Sequence, residues 1–358
     1  MPIDLRAREL AKLIVDYSLK VKHGENVVIS GGTEAEDFII ALYKEILLRG
    51  AFPLLNIKPK GIDAFYFKHA KPHQIKKFPD HIDYLAKNSQ KWIWINTSAN
   101  TKELNECGPK KISDRNKVVE KIVSYIVNEK EKIRRVTVAF PCTAMAQEAE
   151  MSLIDYENFV YSSCLQDWKW LGKRIDKILN IFRKGKNVHL LGEGVDLKFE
   201  INGKLAKACK GEENMPGGEV FMAPVRESVN GWIKFEYPAI ESGKEVSGIF
   251  LKFEKGKVIQ AKADKNEDFL KVILETDENA RYIGEFGIGC NPGIKKFTKN
   301  LLFDEKIDGT IHLALGRAYK ENGGGNDSAI HWDIVKDMKK SKIILDGKVV
   351  QSSGKWRI

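Results

Sequence analysis

Only two histidines of this chain lie beyond His189, and each sits in a distinctive segment. His312 falls in the apolar run Thr310-Ile-His-Leu-Ala-Leu-Gly316. His331 stands two residues before Asp333 in Ser328-Ala-Ile-His-Trp-Asp333. In an extended stretch that spacing puts imidazole and carboxylate on one face. Two glutamates occupy similar settings: Glu219 in Met215-Pro-Gly-Gly-Glu-Val-Phe221, and Glu285 in Tyr282-Ile-Gly-Glu-Phe-Gly-Ile-Gly289. A carboxylate among apolar and glycine residues is costly to bury without a partner, and a bound cation supplies one. Taken singly, each has a blander reading. A histidine in an apolar strand is commonly a satisfied core residue, and His-x-Asp arises by chance.

Taken together, two imidazoles and three carboxylates are hard-to-borderline ligands suited to Zn²⁺, Co²⁺ or Mn²⁺. A catalytic site for one ion normally takes about three protein ligands and leaves a position open. Five groups suit two ions that share a bridging carboxylate, about 3.5–4 Å apart. Other motifs carry less. Gly31-Gly32-Thr33 ends a strand and opens a helix but lacks the G-x-G-x-x-G fingerprint. Gly323-Gly-Gly325 is not followed by the Lys-Ser/Thr of a phosphate loop. His69 and His73 are four apart, but Pro72 and Pro79 break the helix that would align them with each other, so these and His81 read as surface histidines.

The elements that must position the ligands come in two textures. In the first half, apolar strand runs at 26–30, 53–57, 92–95, 136–139 and 188–191 alternate with helical stretches such as 114–128 and 167–183. That alternation predicts an α/β domain with a mostly parallel sheet over residues 1–190. Thr33 with Glu36 reads as a capping box. Beyond about 190, short β patterns (195–201, 204–209, 225–235, 246–253, 256–262) are punctuated by glycines, with helical patterns at 266–276 and near 331–339. Residues 191–358 are therefore expected to form a β-rich α+β domain, and it carries every candidate ligand.

The 358 residues hold 59 basic and 49 acidic side chains, a net charge of +10. The excess concentrates in residues 51–100, with 8 basic and 3 acidic groups. No Lys/Arg-rich run, aromatic RNA-binding motif or zinc-finger spacing accompanies it, so a solvated lysine-rich surface is expected rather than a nucleic-acid interface. Five scattered cysteines without C-x-x-C suggest free thiols. A charged N-terminus and the lack of any run of about 18 apolar residues point to a cytoplasmic protein that neither enters nor spans a membrane.

Four ordered segments carry a resemblance: Pro216-Gly-Gly-Glu-Val-Phe-x-Ala-Pro224, Ala280-Arg-x-x-Gly-Glu285, His312-Leu-Ala-Leu-Gly-x-Ala-Tyr319 and Ser328-Ala-Ile-His-Trp-Asp333. Together they resemble the thermophilic metallo-aminopeptidases of the aminopeptidase T and aminopeptidase S type. The resemblance implies a homodimeric exopeptidase acting on peptides, with two divalent ions (Zn, Co or Mn) held by Glu219, Glu285, His312, His331 and Asp333. It places Tyr319 near a metal or the reacting carbonyl. Glu219 and Glu285 both remain candidates for general base. A rival reading uses His312, His331 and Asp333 as the 2-His-1-carboxylate set of a non-haem Fe(II) ring-cleaving dioxygenase of the dihydroxypyridine type. A third makes the metal structural, in a basic binding protein.

Overall fold

A computed structural model describes residues 3–129, 131–241, 243–319 and 322–357. The chain forms two compact units. One comprises the chain up to Leu165 together with Gly211–Pro216; the other comprises Gln166–Lys210 and Gly217 onward.

The first unit is built on a parallel sheet. Strands β1 (Asn26–Gly32), β2 (Phe52–Lys58), β3 (Lys91–Asn96) and β4 (Arg134–Ala139) run in the order β2-β1-β3-β4, and the short strand Asn214–Met215 extends the β4 edge. Val27, Val28, Ile29, Trp92, Ile93, Val136 and Val138 are all buried, as expected of parallel strands covered by helices. The helix after β1 begins later than the capping-box reading implies. Thr33–Ala35 form a 3₁₀ turn, and helix α1 (Glu36–Leu48) starts with no side-chain cap. Glu36 and Asp37 in its first turn complement the helix dipole instead. The three histidines at 69, 73 and 81 are exposed.

The second unit opens with helix α2 (Trp168–Phe182). Asp167 caps it by accepting from the Lys169 and Trp170 N–H groups, and Leu171, Ile175, Ile178 and Phe182 form its buried stripe. This stripe packs with the β-rich unit, so the break between units falls ahead of α2 and earlier than the change of texture near 190. An eight-stranded antiparallel sheet spans strands between Asn187 and Trp356. A second antiparallel sheet carries the candidate ligands. It consists of β5 (Lys207–Cys209), β6 (Glu219–Met222), β7 (Ile283–Gly289), β8 (Thr310–Gly316) and β9 (His331–Asp337), in the order β9-β8-β7-β6-β5. The helix expected near 331–339 is thus a strand. Trp332, Ile334 and Val335 are all buried because β9 is covered on both faces, which erases the alternation that marks a half-exposed strand. β-branched Ile334 and Val335 suit the pleated surface. None of the five cysteines is joined in a disulfide. Among the described residues, no helix is long and apolar enough to cross a membrane.

Candidate metal centre

Register brings the five sequence-predicted ligands to one face of one sheet. Glu285 of β7 lies opposite Ala314 of β8, which lies opposite Asp333 of β9. His312 is opposite Gly287, His331 opposite Gly316, and Glu219 opposite Gly289. Directly opposed residues share a face and residues two apart along a strand share it too, so Glu219, Glu285, His312, His331 and Asp333 all project to one side. The adjacent row, Phe286–Leu313–Ile334, points the other way and is fully buried. There Phe286 meets Phe182 of α2 edge-to-face at 6.1 Å. One face is therefore a hydrophobic anchor and the other a buried polar surface.

One facing glycine makes room for an imidazole. A Cβ on Gly287 would fall 1.9 Å from His312 Nε2. No side chain fits there without displacing the imidazole.

The distances define a compact cluster. His312 Nε2 lies 3.5 Å from Glu285 Oε1 and 3.8 Å from Glu219 Oε2. His331 Nε2 lies 3.4 Å from Asp333 Oδ2. Tyr319 is 45% exposed, its ring 5.2 Å from the His331 ring. Two residues join that the sequence did not single out. Glu305 and Lys306 follow the short helix Leu301–Asp304, where Thr298 N–H and Oγ–H both donate to the buried Asp304 carboxylate. Glu305, Glu219 and His312 can bring one ligand atom each within 4.8 Å of one another, as can Glu285, His312 and Asp333. The Lys306 ammonium is fully buried, 3.4 Å from Glu219 Oε1 and in contact with Glu305 Oε1. In sequence, Asp304-Glu305-Lys306 reads as a solvated charged turn; only the tertiary fold reveals its burial.

Charge in the cluster is unbalanced. Glu219, Glu285, Glu305 and Asp333 are set against the single ammonium of Lys306, a net of −3 with neutral imidazoles. Burying an unpaired charge costs several kcal/mol, so the deficit must be met. In the metal-free protein, protons meet part of it. Burial pushes the Glu219 carboxyl up to about 7, even with Lys306 beside it. Burial alone would lower both histidines, but the carboxylates prevail. Glu285, Asp333 and Glu219 hold His312 up to about 9, and Asp333 with Glu285 holds His331 up to about 10. Burial alone would likewise lower Lys306, and Glu219 and Glu305 raise it. Burial opposes ionisation of Asp333, yet His331 and His312 keep its carboxyl below the usual range. Burial raises the Tyr319 phenol, with Glu285 and Asp333 adding to the effect.

The donor chemistry fits divalent ions. His312 Nδ1 pairs with the Glu305 carbonyl at 3.1 Å and His331 Nδ1 with the Arg317 carbonyl at 2.8 Å. A backbone acceptor at Nδ1 fixes a proton there and turns Nε2 toward the carboxylates, the orientation usual in metal-binding histidines. His312 Nε2 and Asp333 Oδ1 are buried without a hydrogen-bond partner, as atoms awaiting a cation would be.

The family model described as thermophilic metalloprotease (M29) matches residues 4–356. Aminopeptidase AmpS of Bacillus subtilis is 26% identical over 97% of both chains. Aminopeptidase T of Thermus thermophilus is 36% identical over 176 residues, 42% of this chain and 43% of that protein. The solved structure of wild-type AmpT from Thermus thermophilus superposes with a TM-score of 0.84 at 23% identity, over 99% of each chain. A 2,5-dihydroxypyridine dioxygenase from Pseudomonas putida shares the fold with a TM-score of 0.63 at 13% identity, over 98% of this chain and 96% of that one. With a match running almost from end to end, the chain belongs to the thermophilic metalloprotease (M29) family.

Proposed function

We propose that this protein is a metallo-aminopeptidase that releases N-terminal residues from peptides with two divalent ions, Zn²⁺, Co²⁺ or Mn²⁺. The observation that carries the reading is the shared face: five ligand side chains converge there, with His312 Nε2 and Asp333 Oδ1 buried and unpartnered. His312 has one free ring nitrogen and can serve one ion only. The two overlapping clusters around it cannot both be filled through that atom, so a second ion must draw on His331. Glu219 and His312 would hold one ion and His331 and Asp333 the other, with Glu285, in the same cross-strand row as Asp333 and 3.5 Å from His312 Nε2, available to either.

Such ions polarise a carbonyl and lower the pKa of a bound water toward neutrality. The protein's own groups supply the rest. The carbonyl partners of the two Nδ1 atoms lock both imidazoles in place. Tyr319, at the open edge of the cluster, donates a hydrogen bond to the developing oxyanion of the scissile carbonyl. A carboxylate not fully committed to an ion, Glu219 or Glu285, accepts the water proton. The free amine of the substrate pairs with the acidic surface, restricting cleavage to the first residue. The protein acts as a cytoplasmic homodimer in this reading.

The test is to strip the protein with EDTA, reload it with Co²⁺, Zn²⁺ or Mn²⁺, and supply Leu- and Arg-anilides and a short peptide. Stepwise release of the N-terminal residue, abolished by EDTA, is the expected result. Internal cleavage, or release indifferent to EDTA, overturns the reading. Oxygen uptake with Fe²⁺ and a dihydroxypyridine would move the assignment to ring cleavage by His312, His331 and Asp333.

A further inference from the structure

Lys306 is an anomaly at a centre built for cations. Its side chain is fully buried and its ammonium lies among carboxylates, not at the surface. A second buried lysine shows the ordinary arrangement. Lys336 donates to the Lys234 carbonyl and to Glu236, and the Glu236 side chain is 47% exposed. Lys306 instead occupies one end of the ligand cluster, against Glu219 and Glu305. The opposite end, with His331 and Asp333, has no Lys or Arg ion-paired to it among the described residues.

We infer that Lys306 is a resident cation that makes the two metal positions unequal: the position at Glu285, His331 and Asp333 fills tightly, and the one at Glu219, Glu305 and His312 fills weakly, beside the buried ammonium. The inference rests on the two-ion reading above and adds Glu305 to the weak position's ligands. Its physical basis is Coulombic. An ion entering between Glu219 and His312 meets a positive charge a few ångströms away, in surroundings where water screens poorly. It also shares Glu219 and Glu305 with a competitor that never leaves. The first ion meets no such competitor. Lys306 thereby sets a threshold on the free metal concentration at which the second ion, and with it two-ion chemistry, is gained.

The experiment is isothermal titration of the full-length, chelator-stripped protein with Co²⁺, checked by equilibrium dialysis. The expected wild-type result is two steps separated on the order of 100-fold in Kd. Lys306→Met should tighten the weak step by a similar factor and leave the tight step within about threefold. Lys306→Arg, which keeps the charge, should preserve the separation. Glu305→Gln should weaken the second step further. Two wild-type ions of indistinguishable affinity, or a weak step unmoved in a folded Lys306→Met protein, overturn the inference. Should Lys306→Met fail to fold, the wild-type separation and the Glu305→Gln response still decide it. A single ion bound at millimolar Co²⁺ would instead sink the two-ion reading beneath it.

Discussion

The two units of this chain solve opposite problems with sheets. Among the described residues, the first unit buries Ser18, Ser89 and Ser163 and the rings of Tyr156 and Tyr161, but no Asp, Glu, Lys, Arg or His. The second buries Glu219, Glu285, Asp304, Lys306, His312, Asp333 and Lys336. In the first unit the parallel sheet is covered by apolar packing, and its polar groups gather at the carboxyl ends of strands, where Ser30, Gly31, Gly32, Thr97 and Ser98 line an open cavity of about 330 Å³. In the second, charge sits on the buried face of an antiparallel sheet, at Glu285, His312 and Asp333 within their strands and at Glu219 where its strand begins. A single buried, unpaired carboxylate costs several kcal/mol, comparable with a domain's whole net stability. That face is tolerable only if cations come with it. On the proposed reading, the unit that retains buried charge is the one that has a use for it.

The largest effect should come from breaking the charged face itself. Glu285→Ala and His331→Ala should each lower kcat/KM by at least about 10³-fold and cut metal content measured by atomic absorption. A substitution at the carboxyl edge of the first unit's sheet, Glu34→Gln, should change kcat/KM less than about threefold, since Glu34 is none of the proposed ligands and surface changes are usually near neutral. A fully active, metal-replete Glu285→Ala enzyme would remove this face from the chemistry. An inactive Glu34→Gln enzyme would show that the division of labour has been misread.

Next comes the space that lets the face exist. In Gly287→Ala, the new methyl would overlap the His312 imidazole. The imidazole must swing off its ligand direction or β7 must shift, at about 1–3 kcal/mol for overpacking. Metal affinity measured by dialysis should fall about tenfold or more, since displacing a single ligand by fractions of an ångström misplaces its lone pair. Wild-type affinity in this variant would mean that His312 is not a ligand where it stands.

The same contrast governs what the sequence makes legible. In the first unit each buried strand is a short apolar run bounded by turns, so β1 to β4 and their parallel arrangement could be anticipated. The candidate ligands are legible for a different reason. Glu219 and Glu285 stand out because glycines and apolar residues surround them, and His331 with Asp333 because a spacing of two has a structural meaning in a strand. Glu305 and Lys306 gave no such signal. Charged neighbours after a short helix look like any solvated turn, and only the packing of that turn against β6 and β8 turns them inward. The stretch 331–337 carries a helical pattern in sequence because both faces of its strand are buried, so its apolar residues do not alternate.

A smaller effect is expected at Tyr319. It holds no ion in this reading, so Tyr319→Phe should retain metal and fold while kcat falls by about 10²-fold, the cost of losing one oxyanion donor, with KM little changed. A loss of metal in this variant would reassign the phenol as a ligand.

The finest test asks whether protons stand in for metal in one unit alone. Glu219, His312 and His331 all have raised values in the metal-free protein, at about 7, 9 and 10. A raised value means that the folded state holds its proton more tightly than the unfolded chain does. Stability from such a group is complete below its unfolded value and is lost as pH rises through the folded one. For Glu219 that window runs from its ordinary carboxylate range to about 7, and for the histidines from about 6.5 to about 9–10. All three losses run the same way, so the second unit of metal-free protein should melt progressively lower between pH 6 and pH 10. Metal binding displaces those protons and should reverse the trend, because an ion held on deprotonated ligands binds more tightly as pH rises. Calorimetry with and without Co²⁺ should show two melting curves diverging by several degrees toward alkaline pH, assigned to the second unit by hydrogen exchange. The first unit buries no titratable polar side chain among its described residues beyond Cys142, Tyr156, Tyr161 and Cys164, and it should not respond to the ion. A metal-free second unit whose stability is flat across that range would mean that its cluster is not short of positive charge, and the electrostatic case for metal would lose its footing.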